Sequence, residues 1–198
     1  TRTGADLVAG NMLTFAEAEP PALFAADPEW QSERKIGHRE FLESGRIDRQ
    51  ARLQLGYLKP MFRLEALRSK GLAYDLRLRI GEDWDLIERA LAAGLNYAFR
   101  PEPTYFYRRH AGSTSFRWKA SDLAALITAE RERAGREPAG STLGQARRER
   151  LASLEDALAH LSAVDHLKAR RVLHAVPPLL RRPRALWLLG QSAREGLA

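Results

Sequence analysis

Hydrophobic periodicity changes near residue 117, and that change limits what the chain can fold into. Before it, short apolar runs punctuated by Gly and Pro read as strands mixed with helices. Beyond it, the apolar spacing is helical throughout. A chain of 198 residues organised this way suits one α/β domain followed by an all-helical appendage. Residues 6–15 (DLVAGNMLTF) read as a strand, with Gly10-Asn11 marking a bulge or a close approach. Residues 16–34 hold Pro20, Pro21 and Pro28 among scattered acids and read as loop. Short helices are expected at 37–44 and 64–69, the second ended by Gly71, with an apolar run at 55–62 broken by Pro60. The clearest helix is 84–93: Trp84, Ile87, Ala90 and Leu91 share a face, and Gly94 stands just past its end. Residues 95–99 make a short strand. After Pro101 and Pro103, residues 104–109 alternate, with Thr104, Phe106 and Arg108 on one side and Tyr105, Tyr107 and Arg109 on the other. Beyond the switch, helices are expected at 121–135 and over 146–175, the latter as one or two, joined by a Pro/Gly/Ser connector at 136–144. Pro177, Pro178 and Pro183 should break the chain before 185–189.

The composition, 44% hydrophobic and 29% charged, supports a real core and argues against general disorder. There is no Cys, which excludes disulfides and thiolate metal sites. No apolar run approaches the roughly 20 residues of a membrane span. The net charge of +7 points to anionic partners without choosing among nucleic acid, lipid and phosphorylated small molecules. The first residues, Thr1-Arg2-Thr3-Gly4, show no secretory pattern and lead straight into an apolar segment, so the expectation is a chain cut inside a domain.

Two clusters can carry chemistry. In Gly81-Glu82-Asp83-Trp84-Asp85-Leu86, three carboxylates crowd the start of a helix. Acids there can simply cap free N–H groups and oppose the helix dipole, each contributing about 0.3–1 kcal/mol. Periodicity alone favours that reading. If residues 75–80 are extended and Gly81 makes a tight turn, the same acids stand in a loop at the carboxyl end of a strand, where ligands gather in open α/β sheets. A carboxylate there can take a proton from an incoming hydroxyl, and a like-charged neighbour raises its pKa toward that of a useful base. In Tyr105-Phe106-Tyr107-Arg108-Arg109-His110, followed by Gly112-Ser113-Thr114-Ser115, two guanidinium groups, an imidazole and hydroxyls can hold an anion. The imidazole can also ligate a divalent metal. A wetted, charged strand end is the simpler account of the same residues.

Taken in order, Leu55-Gly56-Tyr57-Leu58-Lys59-Pro60, then residues 81–86, Arg89 with Gly94, then residues 105–110 and 112–115 resemble family-2 glycosyltransferases of the GT-A fold. The first of these stretches is similar to the bacterial exopolysaccharide, succinoglycan-type branch. The resemblance covers residues 1–117. It implies the C-terminal, acceptor-side half of a GT-A (Rossmann-like) mixed-sheet fold, followed by a basic helical extension over 118–198. That family carries an Asp-x-Asp metal motif on an N-terminal nucleotide-binding half, and no such motif follows a strand here. The resemblance therefore implies that this half is missing and that the chain alone is inactive.

Residue by residue, the resemblance makes Asp83 the general base of an inverting displacement, with Glu82 supporting the site or binding acceptor. Lys59 and Trp84 line the sugar or acceptor region. Arg108, Arg109, Ser113 and Ser115 bind the substrate at its diphosphate, and His110 contacts a divalent metal (Mn or Mg) or the diphosphate. The partners implied are a nucleotide-sugar donor and a carbohydrate or lipid-linked acceptor, and the location implied is cytoplasmic or peripheral at the inner face of the membrane.

From His166 to Arg194 the chain holds no acid but many basic and apolar residues. These either pack on the preceding domain or meet an anionic lipid surface. The competing function is a non-catalytic basic module binding nucleic acid or a membrane surface. Nucleic acid is disfavoured, because no recognised binding motif is present and the acids at 82–85 would repel phosphate.

Overall fold

The structure, a computed structural model, describes residues 4–17, 19–47, 53–110, 118–135 and 140–188. They form two units: residues 4–45 with 53–110, and residues 46–47 with 118–188.

The first unit is organised by a strand that has partners on both edges. β1 (Leu7–Ala16) runs parallel to β5 (Tyr97–Arg108) over nearly its whole length. Its other edge is shared by two antiparallel strands, β4 (Met61–Phe62) at Leu7–Val8 and β2 (Glu19–Leu23) at Leu13–Ala16. β3 (Arg34–Ile36) pairs antiparallel with the start of β5. The result is a five-stranded mixed sheet among the described residues. Being paired on both edges explains why β1 is nearly continuous in apolar residues, with Leu7, Ala9 and Met12 buried. Parallel neighbours need a long crossover, and here it carries helices α1 (His38–Ser44), α2 (Leu64–Ser69) and α3 (Glu82–Ala92). α3 buries Trp84, Leu86, Ile87, Ala90 and Leu91, the face its periodicity marks, and Gly94 ends it at φ 82°.

The irregularity expected at Gly10-Asn11 is present, since the β1–β5 register shifts on both sides of Asn11, with the extra residues on β5. A Cβ on Gly10 would sit 2.3 Å from Thr104 Oγ1 and 2.8 Å from the Glu102 carbonyl oxygen, so the close approach requires glycine.

Three expectations change in this unit. Residues 16–34 are not all loop: β2 forms there despite Pro20 and Pro21, because an edge strand has one row of N–H groups that nothing needs. Residues 97–108 are one strand rather than two, and Pro101 and Pro103 fall where the register with β1 slips. Residues 75–80 are not extended. Asp75 accepts the backbone N–H of Arg77 (3.0 Å) and grips its guanidinium, closing a local turn instead.

The second unit contains α4 (Ala120–Ala134), α5 (Thr142–Lys168) and α6 (Val172–Arg181), each packed on the next. α5 begins inside the expected connector because the Ser141 hydroxyl accepts the N–H of Gly144 and caps it. α5 and α6 are separated by Arg170, whose φ is 58°. Pro177 and Pro178 do not break α6. They leave the carbonyls of Leu173 and His174 without helical donors, and both residues are exposed to water. Glu130 is fully buried and touches Arg147 at 3.2 Å and Arg150 at 3.5 Å.

Two stability outcomes follow. Gly10→Ala should cost about 1–3 kcal/mol by overpacking the bulge, read as a lower urea midpoint with an unchanged slope. Glu130→Gln removes the carboxylate that Arg133, Arg147 and Arg150 all contact and should cost roughly 3 kcal/mol. Unfolding of the second unit at unchanged denaturant would refute it.

Candidate active site

The stretches at 55–60, 81–86 and 105–110 lie far apart in sequence, and side-chain contacts link all three. Gly56 sits against Trp84, where an added Cβ would come within 2.6 Å of the indole Cδ1. Next to that contact, Lys59 Nζ donates to Asp83 Oδ2 at 2.8 Å. Tyr107 of β5 packs edge-on to Tyr57, with ring centroids 6.2 Å apart, and Phe24 also packs edge-on to Tyr57 at 6.2 Å. Phe24 is held in place from β1. Asn11, fully buried opposite the bulge, donates through Nδ2 to the Ala25 carbonyl (2.9 Å) and accepts the Ala25 N–H at Oδ1 (3.1 Å).

α3 sorts its acids by direction. Asp85 is fully buried and accepts from Arg89 Nε at 2.8 Å, while Arg89 also donates to the Ala73 carbonyl. Glu88, also fully buried, is 2.8 Å from His38 Nε2 on α1. Both tie α3 to its surroundings. Asp83 instead faces outward: its side chain is 36% exposed, and that of Lys59 is 37% exposed. Its Oδ1 accepts the N–H of Trp84 at 2.8 Å. The carboxylate is thus held through both oxygens and still open to solvent. Its partner is an ammonium, not the second carboxylate that sequence spacing suggested. Glu82 lies half-buried in the same first turn.

Burial pulls the Lys59 ammonium down, but the hydrogen bond and charge of Asp83, with Tyr105 and Tyr107 adding to it, leave its pKa above the ordinary value. The Tyr97 hydroxyl is raised by burial and by the charge of Asp83. Tyr105, Tyr107 and Tyr97 are therefore all within electrostatic reach of the Lys59–Asp83 pair. The alternation of residues 104–109 announced the shared face of Tyr105 and Tyr107. The sequence marked Asn11 only as part of a bulge, and nothing in it marked Phe24 or the His38–Glu88 pair.

Other expected residues stand differently. Trp84 does not line an opening. It is buried and stacked on Phe41 with centroids 5.3 Å apart, so it supports the site from below. Its place on the apolar face of α3 is the reason. Arg108 is exposed at the end of β5, and His110 is exposed just beyond it. Arg109 is paired with Glu19 of β2, and its backbone N–H donates to the Phe15 carbonyl (2.8 Å). Ser113 and Ser115 lie outside the described residues. Among the described residues no three His, Asp or Glu side chains gather around a common point as a cation needs. Among the described residues His110 belongs to no such group. A cavity of about 490 Å³ opens along Glu33–Lys35 and Asn96–Phe99, and neither Asp83 nor Lys59 lines it.

No protein-family model matches the chain. Succinoglycan biosynthesis protein ExoO of Rhizobium meliloti (strain 1021) is 32% identical over 146 residues, covering 74% of this chain and 42% of that protein. Succinoglycan biosynthesis protein ExoU of the same strain is 34% identical over 140 residues, covering 66% of this chain and 39% of that protein. The chain is a relative of the succinoglycan biosynthesis proteins. It spans about two fifths of their length. The mixed sheet followed by helices agrees with the expected part of a GT-A-like fold. No described helix is long and apolar enough to cross a membrane.

Because the folded-state pKa of Lys59 is raised, its stabilising contribution is complete below the unfolded value of 10.5 and is lost as pH rises through the folded value. Lys59→Met should remove that alkaline component. For a pair this exposed the difference is below about 1 kcal/mol. Parallel denaturation curves for both proteins from neutral pH to beyond pH ~10.5 would contradict the assignment.

Proposed function

We propose that this chain carries the acceptor-side part of a glycosyltransferase in bacterial exopolysaccharide synthesis. The supporting observation is the Lys59–Asp83 contact. It unites two of the stretches that carry the resemblance and leaves a partly open carboxylate beside Tyr57, Tyr107 and Tyr105. The relatives' printed role in succinoglycan biosynthesis supports the same reading.

In the proposed reaction, a hydroxyl of a carbohydrate or lipid-linked acceptor gives its proton to Asp83. The acceptor oxygen forms a bond to the anomeric carbon of a nucleotide-sugar, from the face opposite the leaving group. The bond from that carbon to the diphosphate oxygen breaks, and its electron pair leaves with the diphosphate, inverting the anomeric centre. Lys59 keeps Asp83 in place between turnovers and yields as the hydroxyl approaches. The exposed ring of Tyr105, with the half-buried rings of Tyr107 and Tyr57 near it, suits the apolar face of a sugar ring. Arg108 and His110 are the cations available to the departing diphosphate, and cations placed there stabilise the charge that develops. Arg109 would join them by exchanging Glu19 for phosphate. A bound Mn²⁺ or Mg²⁺ would add Lewis-acid stabilisation of the leaving group.

The test uses the native full-length polypeptide with a panel of nucleotide sugars, with and without Mn²⁺ or Mg²⁺. Asp83→Asn should lower turnover by about a hundredfold or more while calorimetry shows donor binding unchanged. Full activity in that variant removes Asp83 from the mechanism.

A further inference from the structure

α6 exposes its apolar residues. Val172, Leu173, Val176, Pro177 and Leu180 are all exposed, Leu173 at 84% and Leu180 at 74%. At about 100° per residue they fall within an arc of about 140°. Ala175 lies outside that arc and is buried, and α6 packs against α5. Leu186, in the turn after Pro183, is exposed as well. An apolar helix face left in water has a partner or favours aggregation.

The charge around this face indicates the partner. Lys168, Arg170 and Arg171 precede the helix, Arg181 ends it and Arg184 follows it, all exposed. Residues 166–188 contain no carboxylate. Arg182 is half-buried and paired with Glu155 and Asp156 of α5, and the exposed Arg184 also lies within electrostatic reach of Asp156. Short-range apolar contact combined with one-signed flanking charge is the combination that suits the headgroup region of an anionic bilayer. A second copy of the same face would bring two positive rims together, which is unfavourable. A helix of 10 residues is about 15 Å long, half the thickness of a bilayer core, so it lies in the interface and does not span it.

We propose that α6 docks flat on an anionic lipid surface, with Val172, Leu173, Val176 and Leu180 inserted among the acyl chains and Lys168, Arg170, Arg171, Arg181 and Arg184 on the headgroups. This inference stands apart from the transferase reading, because lipid binding is measured without turnover.

The experiment is vesicle co-sedimentation of the chain with phosphatidylcholine alone and with phosphatidylcholine mixed with phosphatidylglycerol. Binding should appear with the mixed vesicles, be weak with phosphatidylcholine, and fall as salt is raised. The double variant L173E/L180E should bind more than tenfold more weakly. The variant R170Q/R171Q/R181Q/R184Q should lose roughly fivefold for each charge removed. These side chains are exposed, so circular dichroism should report unchanged helix content. Any of three results overturns the proposal: absence of binding to mixed vesicles, equal binding of L173E/L180E and the parent, or equal binding to neutral and anionic vesicles. A solution dimer that L173E/L180E dissociates would assign the face to a second copy instead.

Discussion

β1 lies beside β5 in parallel, and the bulge between them does two jobs. It lets the backbone of residues 102–104 approach Gly10, which carries two prolines through the strand without ending it. It also turns the Asn11 side chain inward, where it accepts from Met12 and both accepts from and donates to Ala25. Every polar atom of that buried amide has work, so its burial costs little. Tyr107 on β5 and Phe24 next to Ala25 then both pack on Tyr57. Without this pairing the aromatic row would not exist.

α3 shows how one short helix serves both core and site. Its buried carboxylates are each matched, Asp85 by Arg89 and Glu88 by His38, which is the condition for leaving charge out of water. These two pairs hold the helix against α1 and against the loop at Ala73. Trp84, wedged between Phe41 and Gly56, fixes the first turn. Asp83 can remain outside, oriented by Lys59, because its neighbours in sequence secure the helix.

Features governed by neighbours along the chain were legible. The face of α3, its stop at Gly94, the bulge at Gly10, and the alternation of Tyr105 and Tyr107 all follow from backbone geometry and short-range spacing. β2 was not legible, because prolines rule out a central strand but not an edge strand, and only pairing reveals which it is. The continuity of β5 was hidden for the same reason: a bulge in one strand is needed to read the other. Asp75 looked like part of an extended run because its own side-chain turn with Arg77 has no periodic signature.

The sequence by itself determined the kinds of groups available, a helix-start carboxylate, a strand-end basic cluster and an apolar-basic final segment, since these depend on residue type and local period. Only the tertiary structure decided their partners. Lys59 meets Asp83 across 24 positions, and Arg109 meets Glu19 and His38 meets Glu88 across still longer separations. The physical reason is that a side chain's partner is set by where the sheet and its crossover deliver the two backbones, and no property of either residue encodes that distance.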